Sequence, residues 1–439
     1  MEKQIVNVKG THDVIDEEAN AYSMVEELMG SIAKLYAYRE VRPPVLEHSE
    51  VFVRGVGEGS DVVRKEMYTF LDKGDRSLTL RPEFTAGIMR LVVQNKLYAT
   101  NELPLKLFYC GPVFRYERPQ LGRYRQFNQF GVESIGHNSP YNDVEVIALA
   151  YTILQTMGLE NVVIKINTLG DDESRNSYRA ALKDYFKEHV ENMCADCKVR
   201  YEVNPLRILD CKVPDDRPII EKAPKVGQYL SAASKERFDK VLNSLKELGI
   251  PYEVDDTLVR GLDYYSETVF EFHYTSQTGN NYGAIGAGGH YDKLMEDLGG
   301  PSNPGVGFSF GIERVVSILK DDELLPDVTN SVDLYVMPLS EDVMSYAEAL
   351  ACHIRSCGYT VDVCFDHVKM GSMFKRAANK HSKYALIIGE DELKNREAVL
   401  KNMETQEQEK LSIEILVDRL DELFDNNQCE CGNCSREEE

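Results

Sequence analysis

The chain has 439 residues, 43% of them hydrophobic, and a formal net charge of −23 at pH 7. This length exceeds what one hydrophobic core supports and indicates two or three domains. No stretch comes near the roughly 18 consecutive apolar residues of a membrane span, and there is no apolar signal segment, so we expect a cytoplasmic protein without a membrane span. The acidic balance disfavours nucleic acid as a partner, although affinity follows local basic patches rather than total charge.

The first predicted elements are a long helix and a small hairpin. Residues 17–36 repeat apolar side chains at helical spacing, and the two prolines of EVRPPVLEH end that helix in an extended segment. A hairpin is predicted to turn at residues 73–75, and a second helix to start near Thr85 after Pro82. Glu83 and Thr85 lie at this strand-to-helix junction. Polar groups there either line a site or cap the helix, and the pattern leaves both open.

Two strands with an Arg-rich connection follow, in LKLFYCGPVFRYERPQLGRYRQFNQFGVESIG. They are predicted at Leu105–Arg115 and about Arg125–Ile135, with side chains that alternate between two faces. One face is expected to carry Arg115, Glu117, Phe127, Gln129 and Glu133, and the core face Phe114, Phe130 and Val132. Arginine forks suit phosphate oxygens and an aromatic ring can stack on a base, although an edge hairpin with solvated charges has the same pattern.

The middle of the chain is predicted to hold an inserted, mostly helical domain at about 171–250. Before it, Asn142 or Asp143 is expected to cap a helix that ends at Gly158. A strand with the sequence VVIKINTLG then leads into the insertion. The composition of 171–250 is more polar than that of its flanks, which favours a separate helical layer over a continuation of the sheet.

Three cysteines in the insertion have partial zinc spacing. Cys194 and Cys197 are separated by two residues, and Cys211 follows. A structural zinc site needs four ligands, and no fourth is evident nearby. We therefore expect reduced thiols and no structural zinc in this protein.

Residues 257–275 return to strand character. Arg260 precedes a glycine and the pair Tyr264 and Tyr265, and a glycine-rich strand follows. Glycine lets the backbone approach a ligand closely, but a bulged core strand has the same composition. Arg314 is expected in the first turn of a helix that begins near Gly311. A cation there opposes the helix dipole, so an anionic ligand would explain it.

From residue 332 strands alternate with helices, which predicts a small α/β domain after a linker at 320–331. It carries a basic run that includes Lys375, Arg376 and Lys380. These cations could neutralise RNA phosphates, or they could form a solvated helix face that offsets neighbouring acids. Residues 426–439 contain three cysteines and a run of acids and are predicted to be a disordered tail.

Four segments together resemble those of the histidyl-tRNA synthetases, in the second structural class of aminoacyl-tRNA synthetases. They are RPEFTAG, GPVFRYERPQLGRYRQFNQFGVE, LVRGLDYY and GVGFSFGIERV, in that family's order. The resemblance implies an α+β fold: an antiparallel-sheet catalytic domain at 1–325 with the helical insertion, and a C-terminal α/β anticodon-binding domain at 326–425. It also implies a homodimer with the Pro44 region at its interface, and the substrates L-histidine, ATP with Mg²⁺, and tRNA(His).

The resemblance also implies roles for individual residues. The catalytic cations would be Arg115 and Arg260. The ATP-binding residues would be Arg115, Glu117, Arg123, Phe127 and Arg314. The histidine-binding residues would be Glu83, Thr85, Arg115, Gln129, Glu133, Arg260, Tyr264, Tyr265 and Tyr291. The tRNA-binding residues would be Gln120, Lys375, Arg376 and Lys380, and no protein ligand for a metal is implied.

Two alternatives share part of this pattern. A non-catalytic relative is the histidine-sensing regulatory subunit of ATP phosphoribosyltransferase, but such chains lack the anticodon domain and tend to lose ATP residues. A paralogue that activates histidine and selects another tRNA is the second alternative. One departure from the family is His290, because the corresponding segment usually reads GGRYD with arginine. We expect this change to be tolerated.

Overall fold

The computed structural model describes residues 4–57, 59–100, 102–118, 123–327, 329–366 and 368–424. The chain divides into two compact units, with the boundary between Pro326 and Asp327, and residues 16–20 group with the second unit. The predicted tail at 426–439 lies outside the described residues. Within the described ranges, no helix combines the length and the apolar character needed to cross a membrane.

The helices are short to medium in length and alternate with strands along most of the chain. They are α1 (Asp16–Leu35), α2 (Ser49–Val56), α3 (Thr85–Gln94), α4 (Pro140–Thr156), α5 (Asp172–Lys187), α6 (Ala195–Val203), α7 (Arg217–Glu221), α8 (Ala232–Glu247), α9 (Leu294–Asp297), α10 (Ile312–Asp321), α11 (Glu341–Ser356), α12 (Met370–Asn379), α13 (Glu390–Asn395) and α14 (Leu416–Leu423).

The strands form three sheets. They are β1 (Arg39–Glu40), β2 (Leu46–His48), β3 (Tyr68–Leu71), β4 (Ser77–Leu80), β5 (Leu105–Phe114), β6 (Gln126–Ile135), β7 (Val162–Thr168), β8 (Tyr252–Val254), β9 (Ser266–Thr275), β10 (Asn281–Tyr291), β11 (Gly305–Gly311), β12 (Leu334–Pro338), β13 (Val361–Val363), β14 (Tyr384–Ile388), β15 (Glu397–Asn402) and β16 (Gln408–Ser412).

The first unit is built on an eight-stranded sheet with the order β1-β5-β6-β11-β10-β9-β7-β8. Its strand pairs are antiparallel except β1 with β5 and β7 with β8, at the two edges. A three-stranded sheet, β2-β4-β3, accompanies it. The α+β architecture expected from the sequence is confirmed, and its central antiparallel strands β5, β6, β11 and β10 contribute part of the lining of the candidate site.

The β5–β6 hairpin shows why one face is polar. Opposite Val113 lies Phe127, opposite Gly111 lies Gln129, and opposite Leu107 lies Glu133. Because alternate side chains point to one face, Phe127, Gln129 and Glu133 project together. The intervening residues Phe130 and Val132 are fully buried on the other face. The apolar face anchors the hairpin in the core, so the polar face is held in register.

Helix α4 begins differently from the sequence prediction. Its N-cap is Ser139, whose Oγ accepts a hydrogen bond from the backbone N–H of Tyr141, and a proline occupies the first helical position. Asn142 and Asp143 are not the caps; both are buried within α4. Asn142 accepts a hydrogen bond from Ser134, and Asp143 binds groups from distant elements. Tertiary contacts therefore engage side chains that local sequence suggested as caps.

Helices α5 to α8 lie between β7 and β8, where the sequence predicted an insertion. Three-residue and six-residue 3₁₀ segments connect them, including Pro205–Asp210 and Pro214–Asp216. Their buried side chains include Tyr178, Leu182 and Phe186 from α5. These helices belong to the first unit and pack with its core rather than forming a separate compact unit.

The second unit has a five-stranded sheet with the order β13-β12-β14-β15-β16. The first three strands are parallel, and β15 and β16 add an antiparallel hairpin. Strand β12 is buried on both faces, since Leu334 and Val336 join one apolar cluster while Tyr335 and Met337 join another. Helices α11 and α14 contribute to the first cluster and α12 to the second. This is the layered α/β arrangement that strand–helix alternation predicts.

Candidate active site

The first unit contains a cavity of about 350 Å³, a size typical of small-ligand sites. Its lining includes all thirteen residues predicted from the sequence to bind the nucleotide and amino acid: Glu83, Thr85, Arg115, Glu117, Arg123, Phe127, Gln129, Glu133, Arg260, Tyr264, Tyr265, Tyr291 and Arg314. They come from chain segments more than 200 residues apart. Their individual roles stay predictions, but the fold brings them into one cavity.

One end of the cavity is a buried acidic pocket. Glu133 accepts hydrogen bonds from Thr85 Oγ1 at 2.7 Å and from the Tyr291 hydroxyl at 2.6 Å. Burial raises the pKa of Glu133 to about 8, and the negative charge of Glu83 adds to the shift. A side chain at Gly307 would place its Cβ 2.2 Å from the Glu133 carboxylate, so only glycine fits there. This pocket is suited to a cation, which would offset two buried carboxylates.

Glu83 also binds the N-terminus of α3, one of the two roles that the sequence pattern left open. Its carboxylate accepts the backbone N–H groups of Thr85 at 2.6 Å and Ala86 at 2.9 Å, at the start of α3. Burial still raises its pKa. Glu83 therefore satisfies the helix terminus and lines the cavity at once, which orients both Glu83 and Thr85 without a ligand.

Three tyrosines form an aromatic wall next to the acidic pocket. The ring centroids of Tyr264 and Tyr265 are 4.5 Å apart, and those of Tyr264 and Tyr291 are 5.7 Å apart at a nearly perpendicular angle. Burial raises the pKa of all three phenols, so they stay neutral. Neutral phenols can donate hydrogen bonds to a polar ring held between them.

Arg260 faces this wall and is oriented by an acid. Its Nη1 lies 2.5 Å from Glu271 Oε1, and its guanidinium carbon is 5.6 Å from the Tyr265 ring centroid. The other oxygen of Glu271 contacts His273 Nε2 at 2.9 Å. Glu271 and His273 are alternate residues on β9, so they share one face of the sheet. The result is a cation held in a fixed direction at the cavity.

The cavity lining also contains three arginines, one of which lies beside an aromatic ring. Arg115 donates from Nε to the Pro82 carbonyl at 2.8 Å, and its guanidinium carbon is 5.4 Å from the Phe127 ring centroid. Arg123 is 3.7 Å from the Glu117 carboxylate. Arg314, in the first turn of α10, donates to the Ala284 carbonyl. All three arginines and Phe127 line the same cavity, and guanidinium groups with an aromatic ring can hold a polyphosphate and a base.

Several lining residues were missed by sequence reasoning. Tyr109, Tyr124 and Glu313 line the cavity, and Glu271 orients Arg260. Glu313 accepts from the backbone N–H of Asn128 at 2.8 Å, and burial raises its pKa to about 7. Two of these had a local signal: Tyr109 alternates with Leu107 and Gly111 on a predicted strand, and Glu271 alternates with His273.

The residues predicted to bind tRNA lie elsewhere. Gln120 lies outside the described residues. Lys375 and Arg376 are on α12, and Lys380 follows its last residue. Arg376 pairs with Asp366 at 2.6 Å, and Lys380 pairs with Asp362 at 3.2 Å. The alternative, a solvated helix face that offsets neighbouring acids, also predicts both ion pairs.

His290 forms a buried charged network beside the site. Its Nδ1 lies 2.9 Å from Asp143 and its Nε2 3.1 Å from Asp292, while Arg237 Nη2 lies 2.9 Å from Asp143. Burial alone would lower the pKa of His290, but the charge and hydrogen bond of Asp143 outweigh it and raise the pKa to about 9. His290 is thus a cation at neutral pH, the charge that arginine would supply.

The three cysteines of the insertion have a fourth neighbour. Cys194, Cys197, Cys211 and Asp216 place their ligand atoms within 4.8 Å of one another, and we call this group the sulfur cluster. No zinc is expected from the sequence because no fourth ligand is evident there, and that reason is wrong, since Asp216 is a candidate fourth ligand. Asp216 follows Cys211 by only five residues, and the 3₁₀ turn Pro214–Asp216 directs it back to the sulfurs.

Comparisons with known proteins agree over almost the whole chain. Residues 10–315 match the family described as Histidyl-tRNA synthetase, and residues 333–423 match the Anticodon binding domain. The chain is 43% identical to the histidine–tRNA ligase of Bacillus subtilis, over 96% of this chain and 98% of that one. It is 44% identical to histidine–tRNA ligase 1 of Shouchella clausii, over 94% and 97%. The crystal structure of apo S. aureus histidyl-tRNA synthetase superposes with a TM-score of 0.81 at 35% identity, covering 95% of this chain and all of that one.

Proposed function

The chain belongs to the histidyl-tRNA synthetase family, and from this premise we propose that it activates L-histidine with ATP and transfers the histidyl group to the 3′ end of tRNA(His). The observation that supports this best is a single cavity whose lining combines two chemically different groups of residues. A buried acidic and aromatic pocket suits an amino acid, and an arginine-rich group suits ATP. Arginines held in fixed directions in this cavity would stabilise the charge that develops when the amino acid reacts with ATP.

In the first step a histidine carboxylate oxygen bonds to the α-phosphorus of ATP, the bond to the bridging oxygen breaks, and pyrophosphate leaves. This reaction needs alignment and positive charge more than proton transfer. Arg115 and Arg260 are proposed to bracket the reacting carboxylate and α-phosphate. Arg314 and Arg123 would hold the outer phosphates, and Phe127 would stack on adenine.

The histidine itself would be read by the acidic pocket. Its α-ammonium group would meet Glu83, Thr85, Gln129 and Glu133, and its imidazole would meet the tyrosine wall of Tyr264, Tyr265 and Tyr291. Binding a cation lowers the pKa of Glu133 and favours the ionised carboxylate. An amino acid without a polar ring would offer the tyrosine hydroxyls no hydrogen-bond partner, which is a basis for rejection.

Mg²⁺ is proposed to enter with ATP. The carboxylates of Glu117 and Glu313 line the same cavity as the phosphate-directed arginines, and oxygen is the ligand that Mg²⁺ prefers. When bound, the ion would neutralise charge on the phosphates. The orientation of the reacting groups is attributed to Arg115 and Arg260.

In the second step a hydroxyl of the terminal adenosine of tRNA attacks the histidyl carbonyl carbon, and AMP leaves. We propose that residues 1–325 perform the chemistry, with the 171–250 insertion as part of that domain, and that residues 326–425 bind the anticodon. We further propose a cytoplasmic homodimer with the Pro44 region in its interface.

Two assays on the full chain separate this function from the alternatives. Histidine-dependent exchange of pyrophosphate into ATP and charging of tRNA(His) are both expected. A regulatory subunit would show neither, and the match of residues 333–423 to an anticodon-binding domain argues against it. A paralogue would show exchange but would charge a non-cognate tRNA in preference to tRNA(His).

A further inference from the structure

The sulfur cluster has the geometry of a tetrahedral metal site. Zn–S bonds of about 2.3 Å in a tetrahedron place two sulfurs about 3.8 Å apart, and a sulfur and a carboxylate oxygen about 3.5 Å apart. The Sγ atoms of Cys194 and Cys211 are 3.8 Å apart, and Cys211 Sγ lies 3.3 Å from Asp216 Oδ2. These two separations match the tetrahedral values, and all four ligand atoms lie within 4.8 Å of one another.

The surroundings close the site. Cys197 is fully buried, Cys211 and Asp216 are 3% and 2% exposed, and Cys194 is partly buried. All three cysteines are free thiols, and a disulfide would need sulfurs about 2.0 Å apart. Packing alone does not explain a carboxylate among these sulfurs, because a carboxylate is costly to bury without a cation.

Burial raises the pKa of the Cys197 and Cys211 thiols, and local backbone groups act in the opposite direction. Cys194 is the N-cap of α6 and Cys197 lies in its first turn, where the helix dipole stabilises a thiolate. The backbone N–H of Cys194 also donates to Asp216 at 3.2 Å, and that of Val213 donates to Cys211 Sγ at 3.5 Å. Such donors orient ligands and reduce the charge that a metal must balance.

We propose that the sulfur cluster binds one structural Zn²⁺ through its three sulfurs and one carboxylate oxygen. Thiolates select a thiophilic ion such as Zn²⁺ over Mg²⁺, and four protein ligands leave no open position for catalysis. The site joins three parts of the insertion, namely α6 and the segments Pro205–Asp210 and Pro214–Asp216.

The sulfur cluster lies next to side chains that contact the catalytic part of the first unit. Arg200, on α6, donates to Asp61 at 2.8 Å and to the Arg207 carbonyl at 3.2 Å. Arg207 in turn donates to the Gly59 carbonyl at 3.1 Å. Asn204, between α6 and Pro205–Asp210, donates to Asp263 at 3.0 Å, and Asp263 is three residues from Arg260. Zinc would therefore stabilise the surface of the insertion that faces the LVRGLDYY segment.

The test is metal analysis of the full chain in which Cys429, Cys431 and Cys434 are changed to serine, so that the tail cannot contribute. After expression with added zinc, we expect about one Zn²⁺ per chain, as for a closed structural site. Adding Cys197→Ser should reduce zinc at least tenfold. Cys364→Ser is the matched control, because Cys364 is also a buried free thiol but lies in the second unit, and it should retain the metal.

Two further measurements keep the proposal testable if Cys197→Ser fails to fold. Replacing zinc by Co²⁺ in the tail-substituted chain should produce sulfur-to-metal charge-transfer absorption, which an oxygen-only site lacks. Asp216→Asn should keep three sulfurs but weaken zinc affinity at least tenfold in a chelator competition. Zinc below about one ion per five chains, zinc unchanged by Cys197→Ser, or a cobalt spectrum without sulfur absorption would each overturn the proposal.

Discussion

Arg260 is held by another side chain. Glu271 pins one of its Nη atoms, and His273 contacts the other oxygen of Glu271. An arginine fixed in this way stabilises developing charge without first reorganising, which is the largest electrostatic advantage an active site has over water. The direction of this cation is thus decided by β9, although Arg260 itself lies on a loop.

Arg260→Ala should abolish histidine activation while leaving the fold intact. The loss of one preorganised charge contact is expected to raise the barrier by on the order of 3 kcal/mol, or about a hundredfold in rate. The measurement is histidine-dependent pyrophosphate exchange, with unfolding by urea to confirm stability. Arg396→Ala, an exposed arginine in the second unit, is the control. Exchange within about tenfold of the wild type would show that Arg260 has no catalytic role.

His290 should make stability depend on pH. Its pKa is about 9 in the folded chain against 6.5 in the unfolded chain, so folding favours the protonated form. This contribution is fully present below pH 6.5 and is lost as the pH rises through 9, and it amounts to on the order of 3 kcal/mol. Asp143, Asp292 and Arg237 are the charged groups that face the ring.

NMR of protein with isotope-labelled histidine measures the pKa of His290 directly. The resonance that disappears in the His290→Gln variant should titrate near pH 9, with both ring nitrogens protonated at pH 7. The denaturant midpoint of the wild type should fall between pH 6.5 and 9 more than that of His290→Gln. A resonance that titrates near 6.5 would mean that the two carboxylates do not hold the proton.

The basic residues on helix α12 and just after it have two possible explanations. Its cations were interpreted either as an RNA contact or as a face that offsets acids, and two of the three do pair with aspartates. Exposed pairs contribute little to stability and exchange partners readily, so pairing does not prevent phosphate binding. Only a binding measurement distinguishes the two explanations.

The Lys375→Ala, Arg376→Ala, Lys380→Ala variant should bind tRNA(His) more weakly and with a shallower dependence on salt. Each lost phosphate contact reduces the slope of log affinity against log salt by about 0.9. A matched control replaces Lys394, Arg396 and Lys410, three cations of the same unit that also pair with acids. Unchanged affinity across the salt series would favour the solvated helix face.

Each of the two units has its own apolar core. Each has its own sheet and its own buried clusters, and the boundary falls between Pro326 and Asp327, after α10 ends at Asp321. The thirteen cavity residues precede that boundary. A net charge of −23 makes the surface as a whole repulsive to RNA, so binding must depend on local cations.

A fragment that ends at Leu325 should therefore retain histidine activation if it stays dimeric and soluble. Pyrophosphate exchange is expected within about tenfold of the full chain, because the cavity and its supporting strands are retained. Charging should be poor, mainly through weaker tRNA affinity. Light scattering checks the assembly state. A dimeric, folded fragment without exchange would contradict the proposed separation of chemistry from tRNA selection.

The sequence alone determined what depends on local periodicity and on contiguous motifs. Alternation in the β5–β6 hairpin predicted that Phe127, Gln129 and Glu133 share a face, because strand geometry has a period of two whatever the partner. Resemblance located the remaining cavity residues, including Arg260 and Arg314. The helix start near Thr85 followed from the proline before it, which restricts the backbone locally.

Only the tertiary structure decided which distant groups meet. Asn142 or Asp143 is the cap that the sequence predicts for α4, yet Asp143 binds His290, 147 positions away, because a buried carboxylate is costly without a cation. Glu271 orients Arg260 because two elements of the same unit place them face to face. Asp216 completes the sulfur cluster because a 3₁₀ turn reverses the chain after Cys211. Neither spacing nor composition specifies such a reversal, since it depends on the packing of the helices around it.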